Sequence, residues 1–155
     1  AVPICTGNAI ELSYFEEKNH YIRNFKKVIL VAMHGASKKF DKQLVQEQEV
    51  MNNISDIMAE TYVAESLALR VQKVEGMKGE SAASLQRDIL NVFVYDAASK
   101  IRKAALDAVY AFAEPQEAVV LAKAIEILTT VAGVNVKAAR RRIADKLIED
   151  NCYKF

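Results

Sequence analysis

"QEQEVMNNISDIMAETYVAESLALRVQK", residues 46–73, carries small and apolar side chains at Val50, Ile54, Ile57, Thr61, Ala64, Ala68 and Val71. The steps are of four and three, the period that draws one stripe along an α-helix and not along a strand. The spacing predicts a helix from about Leu44 to Val74, with a length on the order of 45 Å.

The same period extends outward on both sides. Upstream, Tyr21, Ile22, Phe25, Ile29, Ala32, Met33, Ala36 and Phe40 form a stripe on a helix from about Glu16 to Lys39, and Asp41 with the polar residues after it makes the turn. Downstream, "EGMKGES" (75–81) holds Gly76 and Gly79, and Ser81 is the expected N-cap of a third helix bearing Ile89, Phe93, Ala97, Ile101, Ala105, Ala108 and Phe112. Pro115 stops that helix, because an interior proline removes a hydrogen bond and clashes, and opens a fourth. The fourth is expected to bury Ala118, Leu121, Ala122, Ile125, Leu128 and Ala132 and to end at Gly133. Asn135 then caps a fifth, Val136 to Asp150, with Ala139, Ile143 and Leu147 inward and Ala144 and Ile148 beside them.

Short connections between long amphipathic helices make neighbours antiparallel. The expected fold is therefore all-α, an up-and-down antiparallel bundle of four long helices plus a shorter fifth, over residues 16–155. Residues 1–15, with Pro3 and Gly7 and no sustained period, read as a linker or tail.

A chain of 155 residues, 52% hydrophobic, suits one well-packed core. With 21 basic and 20 acidic residues the net charge is +1, so anion binding would need local clustering, and nucleic acid is not an expected partner. Cys5 and Cys152, near opposite ends, make no disulfide framework and fit a reducing compartment, with the cytoplasm expected. No apolar run approaches the roughly eighteen residues a membrane-spanning helix needs. A first residue that is Ala1 and not methionine suggests a processed chain or a piece of a larger one.

Catalytic patterns are sparse. A di-iron bundle needs two Glu-x-x-His tetrads, and one is present, Glu17 to His20, whereas His34 follows Val31 at that spacing. The two histidines are fourteen residues apart on one helix, roughly 21 Å, which is too far to share an ion. Neither a nucleophile elbow nor a glycine-rich phosphate loop occurs. No catalytic, cofactor-binding or metal-ligating residue is assigned.

Charge clusters twice. Arg23, Lys26, Lys27, Lys38 and Lys39 lie between His20 and Phe40 with no acid among them, on a helix with a strong apolar face. Such a helix can contact an anionic membrane surface or a partner, although it is more often a bundle stave with a solvated outer side. The second cluster is Arg140, Arg141 and Arg142. Adjacent helical residues are turned by about 100°, so three in a row sweep roughly 200° and cannot converge on one ligand. Local partners exist four or three residues on, where Asp145 can meet Arg141 or Arg142.

In ordered blocks, "EEKNHYIRNFKKVILVA" (16–32), the opening stretch, "LNVFVYDAASKIRKAALDAV" (90–109) and "ARRRIADKLIEDNCYKF" (139–155), the chain resembles the C-terminal helical region of bacterial acyl-CoA dehydrogenases of the very-long-chain-like type. The resemblance implies a parent enzyme that uses FAD to oxidise acyl-CoA to the 2,3-enoyl-CoA in fatty-acid beta-oxidation, with a catalytic glutamate in an E-G-T-N-E type motif. The nearest segment here, "TGNAIE" ending at Glu11, has a different order and spacing, so the base is not transferred to Glu11. The implied role is an auxiliary domain without the active site or a cofactor of its own. It would pack on the remainder of the parent chain, with homo-oligomerisation or peripheral contact at the inner membrane face as further roles. The competing reading is a self-contained helical interaction module with no enzymatic parent.

Overall fold

The computed structural model describes residues 13–151. Most of the expected tail, Glu11 and Cys5 within it, and the terminal Cys152, Tyr153 and Phe155 lie outside those residues.

Five α-helices follow in order: α1 Tyr14–Phe40, α2 Gln48–Lys78, α3 Ser84–Phe112, α4 Pro115–Leu128 and α5 Val136–Asp150. Short 3-10 segments, Asp41–Gln46 and Ser81–Ala83, precede α2 and α3. The all-α bundle is as the periodicity predicts, with differences at the joints. Helix α1 begins at Tyr14, two residues early, because the Ser13 backbone N–H donates to the Glu16 carboxylate at 2.8 Å and its carbonyl accepts from Glu17 N–H at 3.0 Å. Helix α2 runs through Gly76 and stops at Gly79, whose φ of 85° is one that a side chain would resist. Ser81 opens the 3-10 segment, and the residue before α3 is Ala83.

Helix α4 spans 14 residues and is thus as short as α5 with its 15. It ends well before Gly133, at buried Thr129, where the Arg102 guanidinium donates to the Thr129 hydroxyl oxygen at 2.8 Å and to its carbonyl at 3.3 Å, occupying an acceptor that a continuing helix would use. Asn135 caps α5 as expected, accepting from Ala138 N–H at 3.1 Å.

Helix α3 packs against each of the other four, whereas α5 packs on α3 alone among the described helices. Tyr14 meets Asn91 and Gly35 lies beneath Phe112, the same separation of 77 residues, so α1 and α3 run parallel. The Glu60–Lys100 and Glu75–Arg87 pairs make α2 and α3 antiparallel. Lys39–Glu114 and Tyr21–Ala132 do the same for α1 and α4.

One buried cluster joins α1 to α4, with Phe25, Ile54, Ile57, Leu90, Ile101 and Ile125 among its large members. All seven residues of the opening stripe on α2 are buried. On α3 the buried set begins with Leu90 and Val94, with Ile89 and Phe93 only half-buried. A helix covered on several sides has no single apolar stripe for the period to select.

Candidate functional site

The basic residues of α1 do not form one patch. Lys26 reaches Glu65 of α2 at 2.6 Å and Lys39 reaches Glu114 at 2.9 Å, so these two are turned toward opposite neighbours. Lys27 donates to Asn24 Oδ1 at 3.4 Å. Arg23, Lys27 and Lys38 share the outward stripe of α1 with Leu30 and His34, all exposed. Along the helix this stripe extends roughly 22 Å.

His20 is exposed, and its ring nitrogen Nε2 lies 3.1 Å from Asn24 Nδ2. Glu17, its tetrad partner, is engaged elsewhere. It accepts from the Tyr21 hydroxyl at 2.7 Å and from Lys18 at 2.9 Å. Lys18 is buried, with its ammonium over the rings of Tyr14 and Tyr21 at 5.2 and 5.5 Å. The Tyr21 hydroxyl in turn accepts from the Ala132 backbone N–H at 3.0 Å, pinning the loop after α4 to α1. Burial pushes the Glu17 carboxyl up, but the Tyr21 and Lys18 bonds more than offset this and leave it below its ordinary range. Among the described residues no group of three His, Cys, Asp or Glu side chains could hold a metal ion.

A second polar cluster, not legible in the sequence, ties together the first turns of α1 and α3 and the last turn of α2. Arg87 holds Glu75 through two bonds of 2.7 Å, pairs with Glu80, and lays its guanidinium 4.4 Å from the centre of the Tyr14 ring. The Tyr14 hydroxyl donates to the Arg87 carbonyl or Asn91 Oδ1, at 3.2 and 3.1 Å. Burial raises the Tyr14 phenol well above its ordinary range, with Arg87 pulling the other way. Its four principal residues are scattered from 14 to 87, and no local pattern marks them.

The arginine triplet divides as helical geometry requires, but its partners lie on α3. Arg140 meets Asp96 at 2.7 Å and Arg142 grips Asp88 with two bonds of 2.7 and 2.6 Å. No ligand-shaped convergence of the three results. Of the apolar side expected for α5, Ala139 is buried and Ile143 and Leu147 are half-buried, while Ala144 and Ile148 are exposed.

A groove of about 580 Å³ runs between α2 and α3 over Ala59, Ser99 and Ala104, with the ion-paired Glu60 and Lys100 on its rim. Another, of about 500 Å³, lies between α3 and α4 beside Leu106, Tyr110 and Val119. Both are open clefts on the bundle surface. They offer no nucleophile beside a base and no turn of successive backbone N–H groups for a phosphate. Among the described residues no helix is long and apolar enough to cross a membrane.

The family model for the acyl-CoA dehydrogenase C-terminal domain matches residues 24–126, from within α1 to within α4. A probable acyl-CoA dehydrogenase of Bacillus subtilis (strain 168) is 28% identical over 138 residues, which are 89% of this chain and 23% of that protein. The crystal structure of an acyl-CoA dehydrogenase complexed with FAD from Bacillus anthracis aligns with a TM-score of 0.89 and 27% identity, over 94% of this chain and 26% of that one. The chain thus spans about a quarter of the length of these relatives.

Proposed function

The chain belongs to the acyl-CoA dehydrogenase family as its C-terminal helical domain, and from this we propose that it serves as the auxiliary domain of an FAD-dependent enzyme that oxidises acyl-CoA to the 2,3-enoyl-CoA. The observation that carries the reading is the likeness to the FAD-complexed relative over 94% of this chain and only 26% of the other. In this reading the flavin and acyl-CoA sites, and the glutamate that removes the α proton, lie in the remainder of the parent. FAD, when bound there, supplies the acceptor for the β hydrogen.

A flavin dinucleotide needs donors for its pyrophosphate and an enclosing wall for its ring. The α2/α3 groove is an open cleft with a floor of alanine and serine and with Asp56 and Lys103 beside the Glu60–Lys100 pair on its rim, and without an enclosing wall it is assigned no flavin contact. The domain's work is mechanical. It presents a rigid bundle, with α3 at its centre, to the catalytic portion and to further copies of the enzyme.

Peripheral membrane contact is a secondary role, supported by the shared outward stripe of Arg23, Lys27 and Lys38. Lys26 and Lys39 are less suited to it, because each has a carboxylate partner within the bundle.

The coding sequence upstream of Ala1 tests the main reading. A long open frame encoding an E-G-T-N-E type motif, and a product of that frame carrying near-stoichiometric flavin, is the expected result. A start codon close upstream would favour the self-contained interaction module instead.

A further inference from the structure

Helix α4 has four polar side chains, Gln116, Glu117, Lys123 and Glu126, all exposed, and its solvent side carries large apolar residues between them. A bundle stave with only solvent outside it normally keeps that side polar. Here Ala118 and Ile125 are buried against α1 and α3, while Val119, Val120 and Ile127 on the opposite side are 70%, 68% and 64% exposed. Tyr110 of α3, 65% exposed, lines the same groove as Val119 and extends the surface. Val119, Val120 and Ile127 surround Lys123, which is three or four residues from each of them and pairs with Glu126 at 3.0 Å, so the one cation within the patch is neutralised locally. Exposed apolar side chains grouped in this way mark interaction surfaces.

We propose that this outer face of α4, with Tyr110, is the surface by which the domain docks on the catalytic portion of its own parent chain. The inference rests on the reading given under Proposed function and adds the contact surface to it. Two observations select this occupant. The FAD-complexed relative has about three-quarters of its chain outside the part matched here, a body large enough to cover the face. The start of α1 also lies at the same end of the bundle as the end of α4: Ala132, just after α4, is bonded to Tyr21, two turns from Tyr14. A catalytic portion leading into α1 is therefore tethered at the Ile127 end of this face. Another exposed apolar strip, Met58, Tyr62 and Leu69 of α2 with Leu30 of α1, lies beside the cationic stripe of α1, whose charges a dry interface there would have to desolvate.

The test is thiol labelling of Val120→Cys, Ile127→Cys and, as a control, Leu30→Cys, with Cys5→Ser and Cys152→Ser as background. Each is made in this chain and in the chain extended upstream by its own reading frame. Docking is expected to slow labelling at 120 and 127 by about tenfold or more in the extended chain, with position 30 unchanged. Equal rates at all three positions in both chains would overturn the surface assignment. So would slow labelling of this chain alone that speeds up on dilution, which would give the face to a second copy. Flavin absorbance of the extended chain separates the two levels: a yellow chain with fast labelling at 120 and 127 removes only the docking surface, and a colourless one removes the parent reading as well.

Discussion

Arg142 of α5 and Asp88 of α3 are joined by two parallel hydrogen bonds, Nε to Oδ2 at 2.7 Å and Nη2 to Oδ1 at 2.6 Å, fifty-four residues apart in the chain. Since α5 packs on α3 alone among the described helices, this clasp and the Arg140–Asp96 pair hold its polar edge. Arg142→Lys keeps the charge and loses the two-pronged geometry. Amide hydrogen exchange is expected to quicken in α5 and stay unchanged in the core of α1 to α3. The difference should shrink in high salt, because the arginine is more than half exposed.

Gly35 sits under the Phe112 ring, where a Cβ would intrude on the ring atoms. Gly35→Ala should destabilise the bundle by about 1–3 kcal/mol through overpacking, even though alanine is the better helix former. Denaturant titration measures this. Pairing it with Phe112→Leu should recover part of the loss, the non-additivity expected of residues in contact.

Arg87 joins α2 and α3 and supports the ring of Tyr14, with side-chain exposures of 21% for Arg87 and 20% for Glu75. Arg87→Lys cannot keep both bonds to Glu75 while stacking on the ring. A loss of about 1–2 kcal/mol is expected in chemical denaturation. Arg87→Ala should cost more, since it strands Glu75.

The Glu17 carboxyl lies below its ordinary value of 4.5 in the folded chain, with burial opposing and the bonds from Tyr21 and Lys18 prevailing. A carboxyl depressed on folding contributes stability that is present above its unfolded value and lost as pH falls through its folded one. Stability should therefore decline below about pH 4.5, and Glu17→Gln should reduce the slope of that decline. Urea midpoints measured between pH 3 and pH 6 check it, and an unchanged slope would contradict the role given to Glu17.

The fold was legible where one side of a helix is buried. The Val50 to Val71 stripe of α2 is such a case, since α2 lies at the margin of the bundle with α1 and α3 on one side. It was less legible in α3, whose burial on several sides brings Leu90 and Val94 inward, positions that a single stripe skips. The end of α4 was misplaced because no local signal discloses that Arg102, twenty-seven residues earlier, meets Thr129. The triplet shows the same limit. Helical spacing separated its three directions, and it offered Asp145 as a local partner, but the carboxylates of α3 are better placed. Of the five cations proposed for surface contact, sequence alone could not tell Lys26 and Lys39, with partners on neighbouring helices, from the outward three.

If Arg23, Lys27 and Lys38 form a membrane-facing stripe, replacing all three with glutamine should abolish sedimentation with anionic vesicles at low salt. Replacing Lys26 and Lys39 instead should change it little. Recovery of the unmodified chain entirely in the supernatant would leave the stripe as a solvated surface.

Flavin content and acyl-CoA oxidation, measured on the chain extended upstream by its own reading frame and on this chain alone, test whether the bundle is the helical C-terminal part of a flavin-dependent acyl-CoA dehydrogenase. The expected result is near-stoichiometric FAD and enoyl-CoA formation in the extended chain, with a colourless, inactive 155-residue chain. An extended chain without flavin, or flavin bound by this chain alone, would contradict it.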